Sequence, residues 1–251
     1  MPYRGSRKHV LDWTGSPSFL DEFAALLSPV PVSFSADAHV MPRGESAPDE
    51  ARLERFGPEL IPDSGVWTEL EDWWLCHKGG ANTPNWDIAA GCLLEGVPGI
   101  VLVEAKANWP ELGVGGKSLS PDASQRSCEN HERIGTAIDE ASRGWQMIDP
   151  RVSITRDTHY QLANRLAFTW KLATLGIPTV LLYLGFTGDA GIADAGAPFL
   201  DDADWQRAFG EYSASAWPSD LLGRRIDIGG TPVWVISTSR PVIEPSPRRS
   251  S

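Results

Sequence analysis

Ile100, Val101, Leu102 and Val103 form an unbroken apolar run, and a strand apolar on both faces belongs at the centre of a sheet. Residues 86–94 read as a preceding strand. The Glu95-Gly96-Val97-Pro98-Gly99 stretch between them is turn-like, so 86–94 and 100–104 are expected to pair as a hairpin. Downstream, Ile134, Ala137, Ile138, Ala141 and Trp145 recur at helical spacing and predict a helix over 129–148. A second helix is expected over 159–175, capped by Asp157-Thr158 and ended at Gly176 with Pro178 beyond. The β-branched-rich residues 179–184 predict a buried strand, followed by a helix over 205–213 and a strand over 232–237. Upstream, a short amphipathic helix spans 18–27, stopped by Ser28-Pro29. A strand over 32–34, a loop over 36–50 and helices over 50–56 and 67–75 follow. Residues 107–125 are polar and Gly-rich and read as a flexible connection. Strands alternating with helices predict a three-layer α/β/α architecture. No internal repeat is present.

Chemistry collects at the ends of the hairpin. Asp87 opens one strand, and Glu104-Ala105-Lys106 closes the other. Leaving charges at the end of a buried strand costs several kcal/mol in desolvation, so their placement calls for a reason. Residues two apart on a strand share a face, so Glu104 and Lys106 point the same way. If Leu94 pairs near Val101, Asp87 falls opposite Asn108 and joins that face; a one-residue slip would undo this. Two carboxylates and the Ala105 carbonyl suit a hard cation such as magnesium, which takes oxygen ligands and keeps several waters. Lys106 beside them suits orientation of an attacking water or stabilisation of developing negative charge. The alternative is a strand-end ion pair beside a turn-capping aspartate, a weakly stabilising arrangement when buried.

The pattern Asp87…Glu104-x-Lys106 on a hairpin resembles the PD-(D/E)xK nuclease superfamily. The resemblance covers roughly residues 65–186. It implies a restriction-endonuclease-like core with a central mixed sheet, the later helix at 159–175 and the later strand at 178–186. One departure is that Trp86, not Pro84, directly precedes Asp87. The resemblance implies a Mg²⁺- or Mn²⁺-dependent nuclease acting on DNA, with Asp87 and Glu104 as metal ligands and Lys106 as the third catalytic residue. It also implies an acid from an upstream helix in the metal shell, Glu71 before Glu69, and a phosphate contact from Gln161; Arg165, four residues on and on the same helix face, is expected to contact DNA beside it. His131, after the long loop, reads more readily as a helix-shielding residue than as a site residue. The Gly113-Val114-Gly115-Gly116-Lys117-Ser118 stretch lacks P-loop spacing and reads as a flexible loop beside the site.

Charge narrows the partners. A net charge of −11 argues against a general DNA-coating protein, whose affinity comes from cations meeting phosphates. Residues 11–75 hold thirteen acids against three bases, whereas 121–176 are balanced, so any nucleic-acid footprint is expected on the 121–176 half. Eleven tryptophans scattered along the chain read as packing residues. Cys76, Cys92 and Cys128 have no ligand-like spacing and read as reduced thiols, two of them in the core. No apolar run is long enough for a membrane span, and no apolar stretch follows the basic N-terminus as in a signal peptide. The expectation is therefore a cytoplasmic protein with one domain over 1–239 and a disordered tail over 240–251. Its expected partner is DNA rather than a membrane, with a protein partner or homodimer left open. The rival readings are a non-catalytic binding or assembly module of the same fold, and a hydrolase of another phosphoester.

Overall fold

The computed structural model describes residues 3–61, 64–79 and 81–242. In chain order the elements are α1 (Gly5–Thr14), α2 (Phe19–Leu26), β1 (Val32–Ser33), β2 (Val40–Met41), β3 (Ala51–Arg52), α3 (Leu53–Leu60), α4 (Ser64–Trp74), β4 (Asn85–Trp86), β5 (Ile88–Leu94) and β6 (Val97–Lys106). They continue with α5 (Gln125–Gln146), α6 (Tyr160–Thr174), β7 (Thr179–Thr187), α7 (Asp202–Ser213), β8 (Ile226–Ile228) and β9 (Thr231–Pro241). The fold is mixed α/β. The principal sheet runs β1-β5-β6-β7-β9-β8, with β2 also on β5, while β3 and β4 form a separate pair. The sheet is mixed: β5 and β6 are antiparallel, β6, β7 and β9 are mutually parallel, and β8 is antiparallel to β9.

Period-two alternation along β6 and β7 divides the core. Ile100, Leu102, Leu181 and Tyr183 pack towards α4, α5, α6 and α7, with Trp74, Trp145, Phe168 and Trp205. Val101, Val103, Leu182 and Leu184 pack on the other face against Val10, Trp13 and Phe23 of α1 and α2. The tryptophans do much of the filling. Trp74, Trp86, Trp145, Trp205 and Trp217 are fully buried, and each removes on the order of 200 Å² from water, about 5 kcal/mol at 25 cal/mol/Å².

Several expectations need correction. The hairpin turn is two residues, Glu95 (φ 52°) and Gly96 (φ 80°), and pairs Leu94 with Val97. Positive φ at both positions gives the twist that a tight hairpin requires. The strand expected over 100–104 therefore starts at Val97, and the register lies four residues from the expected one. The strand expected over 86–94 breaks at Asp87. Helix α1, strand β2 and strand β8 fall where no element was expected. Cys76 is exposed, Cys128 is partly buried, and Cys92 is partly buried and packs against the core, so one thiol and not two sits at the core. Arg240 and Pro241 belong to β9, and the rest of the expected tail, from residue 243, lies outside the described residues. No helix among the described residues is long and apolar enough to cross a membrane.

Candidate functional site

The even register shift keeps the parity of the hairpin faces. With Ile88 paired to Val103, Asp87 comes opposite Glu104 instead of Asn108, on the face that also carries Lys106. Asp87 interrupts the strand between β4 and β5. Its amide still donates to the Val103 carbonyl at 3.2 Å, and its Oδ2 accepts the Ala105 amide at 2.8 Å. The side chain thus takes a ladder bond at the point where the backbone turns away. The three residues line a cleft of about 710 Å³ at the C-terminal end of β6, beside α6.

Glu104 is the most enclosed of them. Its side chain is 2% exposed, and both oxygens are held: Lys106 Nζ donates to Oε1, and Arg165 Nε donates to Oε2 at 2.6 Å. Arg165 is placed by several contacts. It donates to the Asn85 carbonyl at 2.7 Å and to Asn164 Oδ1 at 3.0 Å, and it stacks 4.4 Å above the Trp86 ring. Burial opposes the Glu104 charge, but Arg165 and Lys106 outweigh it and hold this carboxyl below the usual range. Asp87 has no such partner. Burial first, and then the Glu104 charge, push its carboxyl up to about 7, against smaller opposing effects of Lys106, the Ala105 amide and Arg165. Two neighbouring carboxylates with divergent proton affinities result from one having both cations and the other having neither.

The remaining site candidates separate. Gln161 lines the cleft at the start of α6. Arg165 also borders it, with the Glu104 carboxylate as its immediate partner. Glu71 does not line the cleft and pairs with Lys78 at 2.9 Å, and Glu69 pairs with Lys171 at 3.0 Å. Neither upstream acid joins Asp87 and Glu104. His131 is also outside the lining, with Nδ1 buried and without a hydrogen-bond partner. Burial and the neighbouring Arg156 lower its proton affinity. On the half expected to carry a footprint, Arg151, Arg156 and Lys171 are all paired with carboxylates.

Among the described residues, no group of three or more His, Cys, Asp or Glu stands ready to hold a metal ion. The donors fit a hard divalent ion of the kind that uses one or two carboxylates and keeps its waters. Among the described residues nothing donates a hydrogen bond to Asp87 Oδ1, and a nearby cation relieves the penalty on its charge. Glu104 contributes as second carboxylate only by sharing the oxygen that Lys106 now occupies.

Sequence reasoning gave no role to Glu50, Glu111 or Asn164 of this cleft, and it placed the loop that carries Lys117 beside the site as a flexible one. Asn164, on α6, orients Arg165. Lys117 comes from the 107–125 connection, which is fixed on the start of α6 instead of being flexible: His159 and Tyr160 amides donate to the Val114 and Gly115 carbonyls, and the Lys117 amide to the Arg156 carbonyl. These loop carbonyls also do the work expected of an Asp157-Thr158 cap. The residue before α6 is His159 (φ 47°), with no side-chain cap bond. No known protein family, curated protein or solved structure matched the chain.

Proposed function

We propose that this protein is a divalent-metal-dependent nuclease with a restriction-endonuclease-like core, hydrolysing phosphodiester bonds, foremost in DNA. The observation that carries the reading is the meeting of Asp87, Glu104 and Lys106 on one strand face at the floor of a 710 Å³ cleft. The mixed sheet supports it, since clefts at the C-terminal ends of parallel strands are the usual place for ligands in α/β proteins. Asp87 and Glu104 would hold Mg²⁺ or Mn²⁺. The ion supplies a bound water of lowered pKa and positive charge for a phosphate oxygen. Lys106, fixed by Glu104, presents its ammonium to the same space, where it aligns a water or stabilises charge developing on phosphorus oxygens. Arg165, stacked on the Trp86 ring, acts behind them as a positioning residue that holds Glu104.

The complete engagement of Glu104 by two cations favours one rival: a binding or assembly module of the same fold without turnover. Incubation with supercoiled and linear DNA, with and without manganese, separates the two. Metal-dependent cleavage by the wild type and none by Lys106→Ala supports the nuclease. Retention of DNA in calcium with no cleavage in manganese identifies the module.

A further inference from the structure

The geometry points to Lys117 as the anion anchor of the cleft: a positioning residue that takes a phosphate of the substrate strand beside the Asp87–Glu104 pair. This deepens the nuclease reading and rests on it for the identity of the anion. Among the described residues three cations line the cleft, and two of them, Lys106 and Arg165, are spent on Glu104. Among the described residues, Lys117 has no carboxylate partner. Its ammonium lies 4.9 Å from the centre of the Tyr160 ring, a contact that fixes the side chain without neutralising it. Partial burial disfavours its charge, so an anion arriving there regains what desolvation removed.

The loop that carries Lys117 is built for position. Gly116 packs backbone to backbone on Asp157: a Cβ there would stand 2.3 Å from the Asp157 carbonyl oxygen, so no other residue fits without moving the loop. With the three amide–carbonyl bonds to residues 156–160, this ties the loop to the N-terminal turn of α6. Gln161, on that turn and facing the cleft, offers an amide beside the anchor, and no side-chain hydrogen bond engages it among the described residues. The rest of the lining includes the carboxyl groups of Glu50, Asp87 and Glu111, while the Glu104 charge is matched by Lys106 and Arg165, so the cleft offers an incoming polyanion little other positive charge. A strand entering it needs a cation that is not already neutralised, and Lys117 meets that need.

The test is binding of a fluorescein-labelled DNA duplex and a labelled single strand in calcium, which needs no turnover. Lys117→Gln is expected to weaken binding about tenfold or more, the effect of losing a charge-assisted hydrogen bond, with the melting temperature unchanged. The slope of log affinity against log salt should fall by about 0.9 for the duplex, one phosphate contact. Lys117→Arg should restore both, which a merely structural lysine would not require. In the wild type, the DNA should protect Lys117 from acetic anhydride, read by peptide mass spectrometry. Unchanged affinity and slope for Lys117→Gln would overturn the anchor, as would a wild type that binds neither DNA. A wild type that binds through Lys117 but does not cut in manganese would refute the nuclease reading and leave the anchor standing.

Discussion

Replacing Asp87 by asparagine should stabilise the metal-free protein, an unusual outcome for a residue at the centre of a site. The neutral side chain keeps an oxygen for the Ala105 amide and removes a carboxylate that burial and Glu104 disfavour. An aspartate raised from 3.8 to about 7 carries an upper-bound penalty of about 4 kcal/mol above pH 7. Asp87 remains partly open to the cleft, and the repulsion is shared with a coupled neighbour, so about 2 kcal/mol is the better expectation. For a chain of 251 residues that corresponds to a melting temperature higher by about 4–8 °C. The sign fixes the pH window. The native state holds this proton to higher pH than the unfolded chain, so its contribution is intact below about pH 4 and is lost as pH rises to about 7. The gap between Asp87→Asn and wild type should therefore be absent at pH 4 and full at pH 8. Thermal scans of both proteins in EDTA across that range test it. Equal melting at pH 8, or a gap that is larger at pH 5 than at pH 8, would refute the reasoning.

Other outcomes follow from the same geometry. Glu104→Gln should behave oppositely to Asp87→Asn, losing about 3–5 kcal/mol by urea denaturation, because it strands two buried cations. Millimolar manganese should raise the wild-type melting temperature, by about 2–3 kcal/mol in stability at a hundredfold excess over the dissociation constant, and leave Asp87→Asn unmoved; an equal response would show the ion bound elsewhere. Gly144→Ala, which puts a Cβ 2.1 Å from the Trp170 indole nitrogen, should cost about 1–3 kcal/mol through overpacking of α5 on α6, read by the same denaturation. At pH 8, iodoacetamide should label exposed Cys76 well before Cys92, whose thiol burial pushes up to about 12; peptide mass spectrometry gives the order.

The convergence of Asp87, Glu104 and Lys106 was legible because strand parity is local: a register error of four residues still leaves every side chain on the same face. The register itself was hidden by Glu95, since a non-glycine residue with positive φ is uncommon and the longer turn looked equally natural. Helix α6 was legible from its periodicity, but its start was not, because the groups that satisfy its first amides come from residues 114–115, over forty positions away. For the same reason no local pattern reveals that Arg165 clamps Glu104, that Glu71 turns to Lys78, or that the loop carrying Lys117 is fixed and not flexible. Strand β8 is three residues long and pairs antiparallel with β9, too short for alternation to register.

The central claim is best tested with the variant expected to be more stable than the wild type, since a loss of activity then cannot be ascribed to unfolding. Nicking of supercoiled plasmid in manganese, followed over time for the wild type and Asp87→Asn side by side, is that measurement. A metal-dependent nuclease centred on Asp87 gives steady conversion by the wild type, abolished by EDTA, and none by a folded Asp87→Asn. Cleavage by Asp87→Asn at the wild-type rate, or a wild type inert on every DNA form with manganese present, would contradict it.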